Sequence, residues 1–105
     1  MGERRELRPD EDLAPVVESR ETVFVEFHAD WCAPCAVLDE FVDEVLEDLD
    51  ALVLKVDIEA HADLADAHNV TTDPTMIVFE DGEAVERITG LPDRETFRDL
   101  VAPWR

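Results

Sequence analysis

"ADWCAPCAVLDEF", residues 29–41, holds both cysteines of this chain, three positions apart with Pro34 between them. Such a pair serves as a structural staple, as half of a metal site, or as a couple that cycles between dithiol and disulfide. The sequence around it sets the pair in a fold. "TVFVEFH", residues 22–28, comes just before it. Its β-branched and aromatic residues occupy both faces, as a central buried strand requires. After the cysteines, Val37, Leu38, Phe41, Val42, Val45, Leu46 and Leu49 recur at helical spacing. They predict an amphipathic helix from about Pro34 to Asp48. Pro34 suits its first turn, because it lacks an N–H that would be orphaned there.

Working outward, "ALVLKVD" (51–57) reads as a second buried strand and "HADLADAH" (61–68) as a short helix closed by Asn69. "TMIVFE" (75–80) reads as a third strand. Asp81-Gly82 is a hairpin turn signal leading to a strand near Ala84–Thr89 that alternates apolar and polar residues. Asp93 can cap a last helix carrying Phe97, Leu100 and Val101, which Pro103 ends. Before all of these, Leu13, Val16 and Val17 give a short helix, with Pro15 tolerable only in its first turn. A leading strand is expected near Glu6–Arg8. The order predicts an α/β fold: a central mixed sheet, parallel where helices cross over and antiparallel at the hairpin, between helices on both faces.

At 105 residues the chain is expected to form one domain, 1–105, with a core large enough to need neither disulfide nor metal for folding. The charge balance is unusual: 9 basic against 28 acidic residues leave a formal charge of −19, and Lys55 is the sole lysine. Such a surface repels nucleic acid and anionic membrane, so neither is an expected partner. A soluble domain needs a net charge of only about 2–8 in magnitude. The excess predicts adaptation to molar intracellular salt, where the Debye length shrinks to roughly 3 Å. "MGERRELRPDED" holds no apolar run and no stretch approaches transmembrane length, so the expected location is the cytoplasm. There a Cys-x-x-Cys reads first as redox or metal chemistry.

The staple reading fails on magnitude. Stabilisation by a cross-link grows with the loop it closes, and this loop is close to the shortest there is. The metal reading has two sulfur ligands where a closed tetrahedral site wants four. His28 lies on the strand, and His61 and His68 on a distant helix, so no metal is expected. The redox reading has a physical basis. Cys32 falls at the helix N-terminus, where free N–H groups and the macrodipole favour a thiolate. Cys35 lies one turn inside and is less ionised. Cys32 then attacks a substrate disulfide, and Cys35 resolves the mixed disulfide.

"VFVEFHADWCAPC" resembles the active-site strand and turn of the thioredoxin family, with its Trp-Cys-Gly-Pro-Cys motif. "KVDIE", "TDPTMIVFEDGE" and "ITGLPDRETF" are similar to that family's second core strand, cis-proline loop with hairpin, and approach to the last helix. The resemblance implies a thioredoxin-like fold and a protein-disulfide reductase working through a Cys32–Cys35 cycle, with no bound cofactor. It puts Glu26 in the place of the family's buried carboxylate, able to exchange the Cys35 proton, and Lys55 beside it. It lines the docking groove with Trp31, Ala33, Pro34, Thr72, Asp73, Pro74, Thr89 and Gly90, with Pro74 as the family's cis-proline. It implies a monomer whose partners are a thioredoxin reductase, NADPH- or ferredoxin-linked, and disulfide-bearing client proteins. The alternative within the same fold is a redox-responsive scaffold that docks partners without turnover.

This chain departs from the family pattern at several positions. Ala33 replaces a glycine, Ala36 a common lysine, His28 an aromatic residue, and Glu40 a helix-kinking proline. Glu26 is one methylene longer than aspartate. Asp73 replaces an apolar residue before Pro74, and a charge there is expected to raise the Cys32 pKa and repel acidic partners at low salt.

Overall fold

The computed structural model describes residues 2–105. Five strands form one mixed sheet: β1 (Glu3–Glu6), β2 (Thr22–His28), β3 (Leu52–Asp57), β4 (Thr75–Glu80) and β5 (Glu83–Thr89). Their order across the sheet is β1-β3-β2-β4-β5. The helices are α1 (Leu13–Glu18), α2 (Ala33–Val45), α3 (Ala62–Ala67) and α4 (Arg94–Val101). As the crossover rule requires, β2 and β3 run parallel through α2, while β4 is antiparallel to β2 and to β5.

Strand β2 is the spine. All seven of its residues are buried, so both of its faces pack under helices. Phe24 belongs to the layer under α2 and α4 with Leu38, Val42, Val53, Met76 and Phe97. Val23, Val25 and Phe27 belong to the opposite layer with Val16, Val17, Leu54 and Ile77. By the period-two rule, Glu26 therefore points into the α2 layer. On β3 the same rule sets Lys55 on the face of Val53, and the ladder places it directly opposite Glu26.

The leading strand lies at Glu3–Glu6, not near Glu6–Arg8. Its parallel pairing with β3 runs from Glu3 opposite Leu52 to Glu6 opposite Lys55. Leu7 makes one last bond, N–H to the Lys55 carbonyl, before the chain turns at Pro9. Helix α1 tolerates Pro15 because it falls in the first turn. Strand β5 differs from the expected alternation: only Ile88 is buried, because β5 is a sheet edge and Ile88 alone reaches the α2–α4 core. The hairpin before it takes left-handed φ at both Asp81 (51°) and Gly82 (82°), the geometry of a tight two-residue turn. Helix α2 runs unbroken from Ala33 to Val45, with a 3-10 turn to Asp48, as the absence of a mid-helix proline implies.

Candidate active site

The site forms where β2 ends and α2 begins. Cys32 is the N-cap of α2, and its sulfur accepts the backbone N–H of Cys35 at 3.1 Å. Ala33 and Pro34 fill the first two helical positions, both exposed. Cys32 and Cys35 are joined as a disulfide, their Cα atoms 5.3 Å apart. Both sulfur residues are largely covered, packing with Ala29 and against Ile58. The expected difference in depth is small in this oxidised form, 7% exposure for Cys32 and 3% for Cys35.

Around the disulfide lies an open rim. Trp31 is 68% exposed, so it is not a core residue. Its Nε1 donates to Glu59 Oε1 at 2.6 Å, which fixes the indole beside the cysteines. Across from it runs the loop before β4. The Asp73–Pro74 peptide bond is cis and Pro74 is buried. The Asp73 carbonyl lies 3.7 Å from Cys32 Sγ. Thr89 pairs with Thr75, and the Gly90 N–H donates to the Pro74 carbonyl at 2.8 Å. Gly90 takes φ of 78°, a left-handed turn that glycine accepts without strain. An added Cβ on Gly90 would meet Thr72 at 3.9 Å. The structure thus brings Trp31, Ala33, Pro34, Thr72, Asp73, Pro74, Thr89 and Gly90 to one end of the sheet, around the cysteines.

The Asp73 carboxylate and both sulfurs lie within 4.8 Å of one another. Among the described residues no histidine joins this set, which leaves it one ligand short of a closed tetrahedral site. A carboxylate so close opposes the helix N-terminus: the dipole favours the Cys32 thiolate and Asp73 disfavours it.

On β2, the strand that leads into the cysteines, the carboxyl of Glu26 is fully buried. As a bare carboxylate it has no donor for either oxygen, and Asp39 Oδ1 has none either. A proton on one Glu26 oxygen pairs that oxygen with Asp39 Oδ1, because Glu26 then donates to Asp39, and leaves the other Glu26 oxygen free. Burial, then the hydrogen bond to Asp39 and its charge, push the Glu26 carboxyl up to about 9. Lys55 and Arg4 pull the other way and do not prevail. On Asp39, desolvation works upward, but the hydrogen bonds from Glu26 and Lys55 outweigh it and hold its carboxyl below the ordinary value.

Lys55 does neighbour the acid, opposite it in register, yet its ammonium bonds Asp39 Oδ2 at 2.8 Å. Asp39 is the residue that reasoning from sequence missed. The signal was present in the spacing: Asp39 follows Cys35 by four positions and so shares its face of α2.

Comparison with known proteins agrees with this geometry. The family model described as Thioredoxin matches residues 7–103. The thioredoxin of Mycoplasma genitalium is 35% identical over 96 residues, 90% of this chain and 94% of that protein. Among solved structures, a mutant thioredoxin from Halobacterium salinarum superimposes with a TM-score of 0.85 at 35% identity, covering 97% of this chain and 90% of that one. A thioredoxin of Schistosoma mansoni gives a TM-score of 0.84 at 30% identity, covering 98% of this chain and 96% of the other. With its two cysteines bonded at the cap of α2, this chain belongs to the thioredoxin family and is a thiol-disulfide oxidoreductase that reduces protein disulfides.

Proposed function

We propose that Cys32 is the attacking sulfur, Cys35 the resolving one, and Glu26 the group that exchanges the Cys35 proton, within a single domain spanning 1–105. The observation that carries this reading is the cap: Cys32 Sγ accepts the Cys35 N–H at 3.1 Å. The same contact stabilises a Cys32 thiolate when the disulfide is reduced. Cys35 lies a turn inside the helix without such a donor.

The cycle runs in two displacements. The Cys32 thiolate attacks one sulfur of a client disulfide, and the other client sulfur leaves as a thiolate. Cys35 gives up its proton and attacks Cys32 Sγ. The bond between Cys32 and the client breaks, and the second client sulfur leaves with its electron pair. The client is reduced by two electrons and the enzyme holds the Cys32–Cys35 disulfide. Lys55 acts on this chemistry through Asp39.

Clients dock on the rim of Trp31, Ala33, Pro34, Thr72, Asp73, Pro74, Thr89 and Gly90. The exposed indole and exposed Pro34 offer apolar contact, and Asp73 rejects acidic segments. The chain works as a monomer, without a bound cofactor. A thioredoxin reductase, NADPH- or ferredoxin-linked, returns the disulfide to dithiol. The charge of −19 supports a salt-rich cytoplasm as its setting, and no described helix is long and apolar enough to cross a membrane.

Catalytic reduction of insulin disulfides by dithiothreitol in molar KCl tests the reading. Many turnovers per enzyme are expected, and Cys35→Ser should trap the client on Cys32. Stoichiometric binding without turnover would favour a scaffold and overturn it.

A further inference from the structure

Three carboxylate oxygens without a donor meet in one place, between a central strand and the active-site helix. Two belong to Glu26 on β2 and one, Oδ1, to Asp39 on α2. An unpaired buried carboxylate is costly, and two facing each other cannot both stay ionised. The second Asp39 oxygen is held by Lys55 Nζ at 2.8 Å from β3. From β1, Arg4 Nη1 donates to the Asp39 backbone carbonyl at 3.4 Å, and the other end of its guanidinium pairs with Asp43. On the β4 side the cross-strand partner of Glu26 is Met76, which carries no charge. On α2, Cys35 lies one turn before Asp39 on the same face.

We propose that Asp39 is the positioning residue of the buried acid: it forms with Glu26 a dyad that holds one proton, kept on Glu26, while Asp39 carries the charge and Lys55 neutralises it. The distribution follows from the surroundings. Glu26 is fully buried, whereas the Asp39 side chain is 28% exposed and already ion-paired. Placing the charge on Asp39 leaves none in the apolar layer of Phe24, Val42 and Met76. The raised Glu26 and lowered Asp39 carboxyls agree with that arrangement.

Resting on the reading that Glu26 exchanges the Cys35 proton, the dyad gives that proton a route with no charge left at depth. The proton leaves Cys35 for the free Glu26 oxygen as the proton already on Glu26 passes to Asp39 Oδ1. The Cys35 thiolate then bonds Cys32 Sγ, and the client sulfur departs with the electrons of the broken bond. Asp39 returns the proton to solvent.

The test begins on the oxidised protein, in which neither cysteine titrates. The 13C carboxyl resonance of Glu26 is followed against pH in the parent, Asp39→Asn and Asp39→Ala. The dyad predicts that both substitutions lower the Glu26 midpoint by at least one pH unit, a tenfold loss of proton affinity. A midpoint unmoved or raised, in whichever variant retains the native far-UV spectrum, overturns the proposal.

A second measurement follows the pH profile of mixed-disulfide resolution in single turnover. In Asp39→Asn it should move down by the same interval. In Glu26→Gln the further change Asp39→Asn should leave the profile where it is. A loss of rate uniform in pH, with the Glu26 midpoint fixed, marks a purely structural Asp39 and overturns the proposal. A shifted Glu26 midpoint with resolution indifferent to Glu26→Gln upholds the dyad and rejects Glu26 as the proton partner of Cys35.

Discussion

Cys32 caps the helix that carries Cys35: its sulfur accepts the Cys35 N–H at 3.1 Å, so the two cysteines of one motif occupy unequal electrostatic positions. One sulfur looks along the helix axis at its positive end; the other is part of the helix wall. The division of labour in the redox cycle rests on this inequality, and the remaining site residues modify it.

Asp73 is the strongest modifier on the rim. Its carboxylate lies within 4.8 Å of both sulfurs, at a position open enough for mobile ions to screen. Asp73→Asn should lower the Cys32 thiol pKa in dilute buffer, by the loss of a like charge at contact range. The parent should reduce protein disulfides faster in molar KCl than at low salt, and the variant should narrow that difference. Insulin reduction across a KCl series, with far-UV circular dichroism confirming the fold at each salt, checks both. Equal or slower parental turnover in high salt would contradict the account.

Glu26 ties the site to stability. Its carboxyl lies at about 9 in the fold against an ordinary 4.5, so the folded chain keeps a proton that the unfolded chain gives up. Stability from this group therefore falls as pH rises from 4.5 to about 9, and is level above that. The Asp39 effect has the opposite sign and lies elsewhere. Its lowered carboxyl stabilises the fold above an ordinary 3.8, and that gain is lost as pH falls through the folded value. Glu26→Gln removes the first slope while its amide still donates to Asp39. The variant should gain on the parent steadily through the window from 4.5 to about 9. Urea unfolding of the oxidised proteins across pH measures this, and parallel curves would refute it.

Trp31 separates docking from folding. It is 68% exposed, and its indole bonds Glu59. Trp31→Ala should change stability by no more than about 0.5 kcal/mol, as surface substitutions do. It should raise KM for protein clients about fivefold, on the order of 1 kcal/mol, while a small disulfide is reduced at nearly the parental rate. Thermal unfolding beside kinetics on the two substrates decides the matter. A large loss of stability would make Trp31 a packing residue after all.

How much was legible depended on what each residue needed in order to be understood. Strand β2 reads from its own seven residues, because a doubly buried strand must be apolar throughout. Cys32 at the helix start reads from the proline and the apolar spacing that follow it. Burial of Glu26 reads from its neighbours Val25 and Phe27. Asp39 did not read, because its role needs three elements at once: β2 supplying Glu26, β3 supplying Lys55 and α2 supplying the aspartate. In sequence it is one acid among 28. The cis bond at Pro74 is equally opaque, since residue types alone leave about 5–6% of such bonds cis. The leading strand slipped toward the N-terminus because its register is set by β3, not by any pattern of its own.

Alkylation of the reduced, folded protein by iodoacetamide, with each cysteine followed separately by mass spectrometry from acid to alkaline pH, tests the central claim most directly. The account predicts that Cys32 is carbamidomethylated at neutral pH while Cys35 is not, and that Cys35 reacts only as the solution becomes alkaline. Equal rates for the two sulfurs at every pH would contradict it.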